Sequence, residues 1–409
     1  MSKDRKKLYS KSAYILNFML DKVNIIFPKN KNIWIYGAWL GQKYSDNSKY
    51  LFEYATKHYP EVNHYWISQN KEVVKSLKDK GYESLYAYSV KAIFIQLRAG
   101  LVFYTNSLFD ISDYHFCSRA YKVALWHGMP LKKLYLDDNR RYKGHSKIKK
   151  RLSNLKYKLY SDVKRDLSIA TSESAKETIR SAFDLSGENI LIVGQPRNDI
   201  FNKISDKSEV LKLKGNTLSQ KKIITYMPTY RDDEENREKF HGLLKSILED
   251  PEVDKLLEKY SYHMLVKFHF LGGNVSINSK NITFISDNDV TDTQELLNIT
   301  DILITDYSSC FIDYLLKRSP LMFVANDIEG YEEKENGFYY DYREITKGIL
   351  AEDKEQFKVL LEKIILNDSS LNMNERYNSL NRLFNEVIGE NYSENLCKEV
   401  NRRLNLTNR

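Results

Sequence analysis

Residues Asp301 to Asp313 read Asp-Ile-Leu-Ile-Thr-Asp-Tyr-Ser-Ser-Cys-Phe-Ile-Asp, and this stretch indicates the fold class of the chain. A short apolar run, Ile302 to Ile304, passes without a linker into the polar turn Thr305 to Ser309, and a second apolar stretch begins at Phe311. This order predicts a buried strand, a tight turn and a helix in immediate succession. Such a unit is typical of an α/β protein with a parallel sheet.

The turn between this strand and helix is a candidate ligand site. Its backbone N–H groups and the hydroxyls of Ser308 and Ser309 would point at whatever lies over the helix start, where the helix dipole favours an anion. Open α/β sheets bind ligands at the carboxyl ends of their strands, which agrees with this interpretation. The alternative is that Thr305, Ser308 and Ser309 only cap the helix. The residues of the turn leave both interpretations open.

Short apolar runs alternate with longer amphipathic runs along most of the chain, which predicts a doubly wound α/β fold. The first series of predicted strands comprises residues 33–36, 64–67, 84–88, 101–104, 122–125, 167–170 and 190–193. The second series comprises residues 223–227, 263–268, 282–285, 302–305 and 321–324. A polar, lysine-rich segment at 206–222 separates the two series and contains the predicted domain boundary.

We therefore predict two α/β units of similar size with a substrate cleft between them. The predicted boundaries are an amphipathic basic helix in residues 1–30, a first unit at 31–205, a second unit at 206–375 and C-terminal helices at 376–409. A chain of 409 residues with 42% hydrophobic content is long enough for two packed cores.

Several functional classes are excluded by the composition and by missing motifs. The three cysteines match no metal-ligand spacing and leave an odd thiol under any pairing, which favours a reducing cytoplasm. No run approaches the roughly 20 apolar residues that span a bilayer, and the N-terminus does not read as a secretion signal. There is no P-loop, no Gly-x-Gly-x-x-Gly fingerprint and no His-Glu-x-x-His motif. We predict no metal and no cofactor.

Basic residues are concentrated in two segments. Between residues 140 and 165 there are eleven Lys and Arg against one acid, Asp162. This density predicts a polyanionic partner, either an acidic membrane surface or nucleic acid. Nucleic acid is the weaker alternative, because the segment has few aromatic residues and no recognition motif. The residues predicted to bind the membrane are Arg140, Arg141, Lys143, Lys147, Lys149, Lys150 and Arg151.

The N-terminal segment is the second basic region. Its apolar residues recur at helical spacing with lysines between them, so it predicts an amphipathic helix. The helix would lie either on a membrane or on the body of the protein, and packing on the protein is the default expectation.

Four further polar clusters each follow a predicted strand. In the first, Trp126-His127-Gly128-Met129-Pro130, the glycine permits close backbone approach to a ligand. His127 would stand at the cleft edge and titrate near neutrality, which suits a general base. A histidine at a strand end is, however, more often a hydrogen-bonded structural residue.

The other three clusters offer cations and hydroxyl groups. Arg197, in Gly194-Gln-Pro-Arg-Asn-Asp199, would bind a phosphate as a fork or would belong to a closing turn. Thr229 and Arg231 follow the next strand, where Thr229 would alternatively cap a helix. Strand alternation places Lys267 and His269 on one face, and two such side chains in a cleft suit a diphosphate.

At these residues the chain resembles the CDP-glycerol and CDP-ribitol phosphotransferases of teichoic acid and capsule synthesis. The motifs that carry the resemblance between about residues 33 and 342 are Trp126-His-Gly128, Gly194-x-Pro-Arg-Asn-Asp199, Pro228-Thr-Tyr-Arg-Asp232, Lys267-x-His269, Asp301-Ile-Leu-Ile-Thr-Asp-Tyr-Ser-Ser309 and Gly337-Phe-Tyr-Tyr-Asp-Tyr342. The resemblance implies a GT-B fold of two Rossmann-like domains, with the first on the acceptor and membrane side and the CDP-alditol donor held mainly by the second. It also implies an enzyme that acts at the cytoplasmic face of the cell membrane as a peripheral protein.

The resemblance further implies that an alditol phosphate is transferred from CDP-glycerol or CDP-ribitol to a lipid-linked acceptor, such as a polyprenyl-diphosphate-linked glycan. It implies that His127 and His269 are the essential histidines. The expected donor-binding residues are Gly128, Arg197, Thr229, Arg231, Lys267, Ser308, Ser309 and Asp313. The alditol, the polymerising or priming role and a homo-oligomeric state are left open. The rival interpretation is a GT-B glycosyltransferase that uses a nucleotide sugar.

Overall fold

The computed structural model describes residues 11–142, 144, 146, 148–153, 165–211, 218, 220–267, 279–286, 289–290, 292–389 and 391–406. These residues form two parallel sheets, as the alternation of apolar runs predicted. The first sheet contains β1 Asn30–Tyr36, β2 Asn63–Ser68, β3 Ser84–Tyr86, β4 Ala99–Tyr104, β5 Tyr121–Ala124, β6 Leu167–Ala170 and β7 Ile190–Ile192. The second contains β8 Lys222–Met227, β9 Tyr262–Lys267, β10 Ile282–Ile285, β11 Ile302–Thr305, β12 Leu321–Val324 and β13 Leu350–Ala351.

Helices connect the strands on both sides of each sheet. Those before residue 206 are α1 Lys11–Val23, α2 Asp46–His58, α3 Lys71–Asp79, α4 Val90–Arg98 and α5 Glu173–Phe183, and α6 Lys207–Val210 lies in the segment between the two series of strands. Those that follow are α7 Glu234–Leu248, α8 Pro251–Lys259, α9 Thr293–Ile299, α10 Cys310–Tyr314, α11 Ile328–Lys334, α12 Tyr342–Thr346, α13 Lys354–Ile365, α14 Met373–Phe384 and α15 Tyr392–Leu406.

Both sheets follow the same doubly wound strand order. The order is β3-β2-β1-β4-β5-β6-β7 in the first sheet and β10-β9-β8-β11-β12-β13 in the second. In each sheet the connections reverse direction between the first and fourth strands, β1 and β4 or β8 and β11. Open α/β sheets bind ligands in the crevice at this reversal, outside the carboxyl ends of the strands. Each unit therefore has its own crevice.

The central strands are buried on both faces. All four residues of β11 and all four of β12 are buried, and Leu303 pairs with Leu321 in parallel register. Helices cover both faces of a parallel sheet, so such strands read as continuous apolar runs rather than as alternating ones. This is why the stretch that begins at Ile302 could be recognised from its residues alone.

The two units contact each other closely. Trp126 and Leu131 of the first unit share one hydrophobic core with Tyr307 and Phe338 of the second. Backbone hydrogen bonds from Lys133 N to Gly337 O (3.0 Å) and from Tyr339 N to Leu131 O (3.0 Å) join the units. The Gly337–Tyr342 motif is therefore part of a backbone connection between the units.

An ion pair adds a second connection between the units. Lys49 Nζ in α2 lies 2.6 Å from Asp292 Oδ2 and 2.7 Å from Glu295 Oε1, both of the second unit. Tyr50 donates a hydrogen bond of 2.9 Å to the same Asp292 carboxylate.

The C-terminal helix α15 returns to the first unit. Its residues Leu396, Cys397 and Val400 pack into the core that contains Trp34 and Phe103. The backbone N–H groups at its start, from Tyr392 and Ser393, donate to the Asp199 carboxylate. The predicted domain boundaries stay predictions, but the helical character of the C-terminal residues agrees with the sequence pattern.

The N-terminal helix α1 contacts the protein through polar groups. Asn17 donates to Asp113 O (3.2 Å) and accepts from His115 N (3.1 Å), while Asn24, just beyond the helix, donates to Ser118 Oγ (3.1 Å). The large apolar side chains of α1 and of the turn that follows it are exposed by 42 to 74%: Leu16, Phe18, Met19, Val23, Ile25 and Ile26. The default expectation was that the apolar face packs on the protein, and the structure shows these side chains in solvent. Among the helices of the described residues, none is long and apolar enough to cross a bilayer.

Candidate active site

A cavity of about 340 Å³ lies between the two units at the carboxyl ends of their strands. The first unit lines it with Trp39, Lys43, Asp46, His127 and Arg197. The second unit lines it with Met227, Gln294, Ser308, Ser309 and Asp313. The structure describes nine of the predicted catalytic and donor-binding residues, and five of these come from distant parts of the sequence to line this cavity: His127, Arg197, Ser308, Ser309 and Asp313.

His127 follows β5 and stands against two indole rings. Its ring centroid lies 4.1 Å from that of Trp126 and 5.6 Å from that of Trp39. Burial lowers the pKa of His127 to about 4, and the charge of Asp46 opposes this shift only in part. The expectation that this histidine titrates near neutrality was therefore wrong, because burial disfavours the imidazolium. At neutral pH the imidazole is uncharged and able to accept a proton.

The buried Nδ1 atom of His127 has no hydrogen-bond partner among the described residues. A buried ring nitrogen without a partner costs free energy, and a bound ligand, a water molecule or a catalytic role accounts for such atoms. An Nδ1 atom without a protein partner is compatible with a general base, and the catalytic role of His127 stays a prediction.

Gly128 brings the first unit against the start of α10. Its φ angle is +130°, and a Cβ atom at this position would lie 2.7 Å from Ser309 Oγ and 3.0 Å from Arg197 Nη2. Only glycine fits this conformation and this space. The close backbone approach expected at Gly128 is made here to Ser309 of the opposite unit, and a direct contact with the donor stays a prediction.

Arg197 is the centre of a buried network that crosses the cleft. Its guanidinium donates to Asp46 (3.0 Å) in α2 and to Asp313 (2.5 Å) in α10. Gln195 and Asn198 also donate to the Asp313 carboxylate, at 2.6 and 3.0 Å. Burial lowers the pKa of Arg197, but the two carboxylates raise it by more, so the guanidinium stays charged. Both terminal nitrogens are engaged by protein carboxylates, and binding of the donor by Arg197 or Asp313 stays a prediction.

Arg231 lies beneath the cavity and organises the loops of the second unit. Its side chain is 1% exposed and is paired with Asp306 (2.5 Å) and Asp327 (2.9 Å). Asp306 also accepts hydrogen bonds from Thr229 N (2.9 Å) and Tyr307 N (2.6 Å). Arg231 thus fixes the turns after β8 and β11, which carry Thr229 and the serines. A direct contact of Arg231 or Thr229 with the donor stays a prediction.

The two serines face the cavity in half-buried positions. Ser308 Oγ accepts a hydrogen bond of 3.4 Å from Cys310 N at the start of α10, as the capping interpretation expected of this residue. Ser309, the N-cap residue, makes no side-chain capping bond, and Thr305 Oγ1 donates to Met227 O at 2.8 Å instead. Both serine residues also line the cavity, as the ligand interpretation expected. The two interpretations are compatible, because a serine hydroxyl has one donor and two acceptor positions.

Lys267 ends β9 on the side of the cavity. It is 3% exposed, and its ammonium donates to Val290 O (3.2 Å) and to Thr293 Oγ1 (3.3 Å). Thr293 itself lines the cavity, so Lys267 supports the wall next to the serines. His269, the second predicted catalytic histidine, lies outside the described residues.

The loop after β1 contributes residues that the sequence analysis missed. Trp39 of this loop and Asp46 at the start of α2 line the cavity, and Gln294, which donates to Asn198 at 2.7 Å, closes another side of it. The signal was present, because this loop follows a predicted strand as the other clusters do. It lacked the histidine, arginine or paired hydroxyls that marked the other clusters.

The chain is similar in sequence to a known protein family and to several of its members. The family model described as CDP-Glycerol:Poly(glycerophosphate) glycerophosphotransferase matches residues 19–402. The chain is 31% identical to a teichoic acid poly(glycerol phosphate) polymerase of Staphylococcus epidermidis over 84% of its length, and 27% identical to that of Bacillus subtilis over 91%. It is 29% identical to a teichoic acid glycerol-phosphate transferase of Staphylococcus aureus, covering 85% of this chain and 87% of that protein.

The chain spans about half the length of the two polymerases, 46% and 48%. Among solved structures, the wall teichoic acid polymerase TagF matches with a TM-score of 0.72 and 24% identity, covering 98% of this chain and 95% of that one. A TagF variant soaked with CDPG matches with a TM-score of 0.70 and 25% identity, covering 97% and 94%. These likenesses agree with the two-domain GT-B fold.

Proposed function

The chain belongs to the CDP-glycerol:poly(glycerophosphate) glycerophosphotransferase family, and from this premise we propose that it transfers glycerol phosphate from CDP-glycerol to a hydroxyl group of an acceptor in teichoic acid synthesis. The observation that carries the proposal is the cavity in which His127 of one unit faces Ser308 and Ser309 of the other. Relatives named as glycerol-phosphate transferase and poly(glycerol phosphate) polymerases support it, as does the TagF structure with CDPG.

In the proposed reaction, the acceptor hydroxyl oxygen attacks the β-phosphorus of CDP-glycerol. A new P–O bond forms, the bond from the β-phosphorus to the bridging oxygen breaks, and CMP leaves with that oxygen and its electron pair. His127 accepts the proton of the hydroxyl group, which its uncharged imidazole permits. Positioning and electrostatic stabilisation supply most of the catalysis of phosphoryl transfer.

The second unit supplies the proposed donor site. Ser308 and Ser309 would donate hydrogen bonds to the diphosphate, and Lys267 would add positive charge behind Thr293. His269 would stabilise the charge that develops on the diphosphate. We assign Arg197 and Asp313 the task of holding the two walls together, since Arg197 of the first unit pairs with Asp313 of the second and with Asp46. Arg231 pairs with Asp306 and Asp327 within the second unit, so we assign it the support of the turns that carry the donor site.

The donor can be tested with purified protein. CDP-glycerol, CDP-ribitol and a panel of UDP-sugars are incubated with the protein and a glycerol phosphate acceptor, and the released nucleotide is measured. We expect CMP from CDP-glycerol, and we expect His127→Asn to lose about 10²-fold or more in rate while keeping its thermal stability. If the protein turns over a UDP-sugar but neither CDP-alditol, the nucleotide-sugar glycosyltransferase is favoured. If His127→Asn keeps near wild-type activity, His127 is not the general base.

We also propose that the acceptor is linked to a lipid and that the protein meets it at the membrane surface. The exposed apolar residues of α1 and its turn support this, because a large exposed apolar surface is costly unless a partner covers it. The helical residues 148–153 add the exposed cations Lys149, Lys150 and Arg151 beside the exposed Ile148.

The other predicted membrane cations differ in their surroundings. Arg140 pairs with Asp138 (3.4 Å), Asp232 (3.1 Å) and Glu335 (3.1 Å), so nearby carboxylates offset its charge. Arg141 donates to Ser153 O (3.4 Å). Lys143 and Lys147 lie outside the described residues. Lys149, Lys150 and Arg151 are exposed, and the binding of an anionic surface by this segment is tested at these three residues.

Vesicle flotation separates the two proposed contacts. Replacing Lys149, Lys150 and Arg151 with glutamate should weaken binding to anionic vesicles by about 1 kcal/mol per lost cation. Phe18→Ser with Met19→Ser should weaken binding to neutral vesicles as well. The matched control reverses three exposed lysines of the α3 region: Lys75, Lys78 and Lys80. If the control variant loses as much vesicle binding as the variant of residues 149–151, net charge alone is responsible. If the variant of residues 149–151 and the Phe18/Met19 variant both bind vesicles like the wild type, the proposal is contradicted.

A further inference from the structure

The loop after β1 is held in a backbone conformation that its side chains do not favour. Trp39 and Leu40 have φ angles of +49° and +55°, and Asp46 has +66°. Residues other than glycine rarely adopt this left-handed region, and when they do so next to a cleft the conformation commonly serves a function. The loop lies at the strand-order reversal between β1 and β4, where an α/β sheet binds its ligand.

A buried carboxylate fixes this conformation. Asp110 accepts hydrogen bonds from Leu40 N (2.7 Å) on one side and from Thr105 N (2.8 Å) and Asn106 N (2.7 Å) on the other. Ser68 donates to Gly41 O at 2.7 Å and holds the far end of the loop. The loops after β1, β2 and β4 are thus joined beneath Trp39, so its backbone is positioned before any ligand arrives.

The side chain that this loop presents is an indole at the edge of the cavity. Trp39 is 39% exposed, whereas Trp34, Trp66 and Trp126 are 1%, 0% and 5% exposed. Its ring centroid lies 5.6 Å from that of His127 and 5.8 Å from Lys43 Nζ. Trp39, Lys43 and the base proposed for the reaction therefore share the wall that faces Ser308 and Ser309 across the cavity.

We propose that Trp39 and Lys43 form the acceptor subsite, which binds the polyol-phosphate end of the acceptor and places its hydroxyl group at His127. This proposal rests on the proposed function and names the substrate that the first unit holds. The flat indole covers the C–H groups of a polyol at low entropic cost, and the lysine ammonium pairs with the phosphate that follows. The donor phosphates occupy the opposite wall, so the two substrates meet between Ser309 and His127.

The kinetic test uses the full chain with CDP-glycerol and a soluble glycerol phosphate oligomer. Trp39→Ala should raise KM for the oligomer about tenfold, which corresponds to about 1.4 kcal/mol of binding, while the Kd for CDP-glycerol in calorimetry stays within about twofold. Trp39→Phe should restore part of the loss, and Lys43→Gln should raise KM for the oligomer but not the Kd for the donor. Phe94→Ala is the matched control, because Phe94 is exposed and lies under Arg98 on α4.

A second measurement does not depend on turnover. Since Trp39 is the most exposed tryptophan, the oligomer should change the protein fluorescence with saturation, and Trp39→Phe should abolish that change. A fluorescence change that persists in Trp39→Phe would overturn the inference, and so would a raised Kd for CDP-glycerol with an unchanged KM for the oligomer. Wild-type protein that neither binds nor cleaves CDP-glycerol would overturn the proposed function, while the titration with the oligomer would still report on Trp39.

Discussion

Substitution of Gly128 by alanine tests whether the base-bearing loop really abuts the second unit. An alanine Cβ would lie 2.7 Å from Ser309 Oγ, and the φ angle of +130° is one that residues with a side chain rarely adopt. The backbone strain costs about 1 to 3 kcal/mol. The overpacking costs about 1 to 3 kcal/mol more if the loop does not move. We therefore expect Gly128→Ala to lower the free energy of unfolding by at least about 2 kcal/mol.

The two contributions can be separated with a second substitution. Ser309→Ala removes the hydroxyl, and the Ser309 Cβ atom stands 3.7 Å from the position of the new methyl group, an ordinary contact distance. Gly128→Ala combined with Ser309→Ala should therefore recover about 1 to 3 kcal/mol relative to the sum of the single variants. The backbone strain stays, and so does the approach of the new Cβ to 3.0 Å from Arg197 Nη2, so recovery should be incomplete.

Urea denaturation of the four proteins, followed by one spectroscopic probe, gives the required differences. Gly242→Ala is the control, because Gly242 is exposed in α7 with no atom within 4 Å of a new Cβ. It should stabilise the protein by about 0.5 to 1 kcal/mol. If the effects of Gly128→Ala and Ser309→Ala are simply additive, the two residues are not in contact and the placement of His127 opposite the serines is wrong.

Three further predictions concern the chemistry of the cavity. Burial lowers the pKa of His127 to about 4, so kcat/KM should stay constant as the pH falls through 6.5 and decline only near pH 4. A decline centred near pH 6.5 would mean that another group is the general base. Ser308→Ala with Ser309→Ala should raise the Kd for CDP-glycerol, since each lost hydrogen bond to a charged phosphate contributes about 1.5 to 3 kcal/mol; unchanged affinity in calorimetry would contradict the donor site. Asp313→Asn should lower the free energy of unfolding by about 3 to 5 kcal/mol, because it removes one of the two carboxylates that pair with the buried guanidinium of Arg197. Thermal unfolding measures this, and a change below about 1 kcal/mol would show that the network does not stabilise the fold.

The strands and the site-bearing loops could be predicted because their signals are local. The buried strand at Ile302 is visible in the sequence as a continuous apolar run, whatever lies elsewhere in the chain. In a parallel sheet every such strand ends in a loop at the same edge of the sheet. His127, Ser308 and Ser309 were therefore placed near one cleft from their positions after strands. The exposure of the apolar side chains of α1 was not predictable, because the same pattern serves for packing on a protein or on a membrane.

The two α/β units, the family and the candidate residues of the cleft could be recognised from the residues alone, since they depend on patterns within about ten to twenty residues. The pairing of charges and the exposure of side chains depend on the packing of the whole chain. Arg197 and Asp313 are 116 residues apart and hold one another, and Gly128 and Ser309 meet across two units. Trp39 became a candidate only when its loop was seen beside His127. Pairing and burial are properties of the packed chain, because the free energy of a charge depends on the neighbours that replace water.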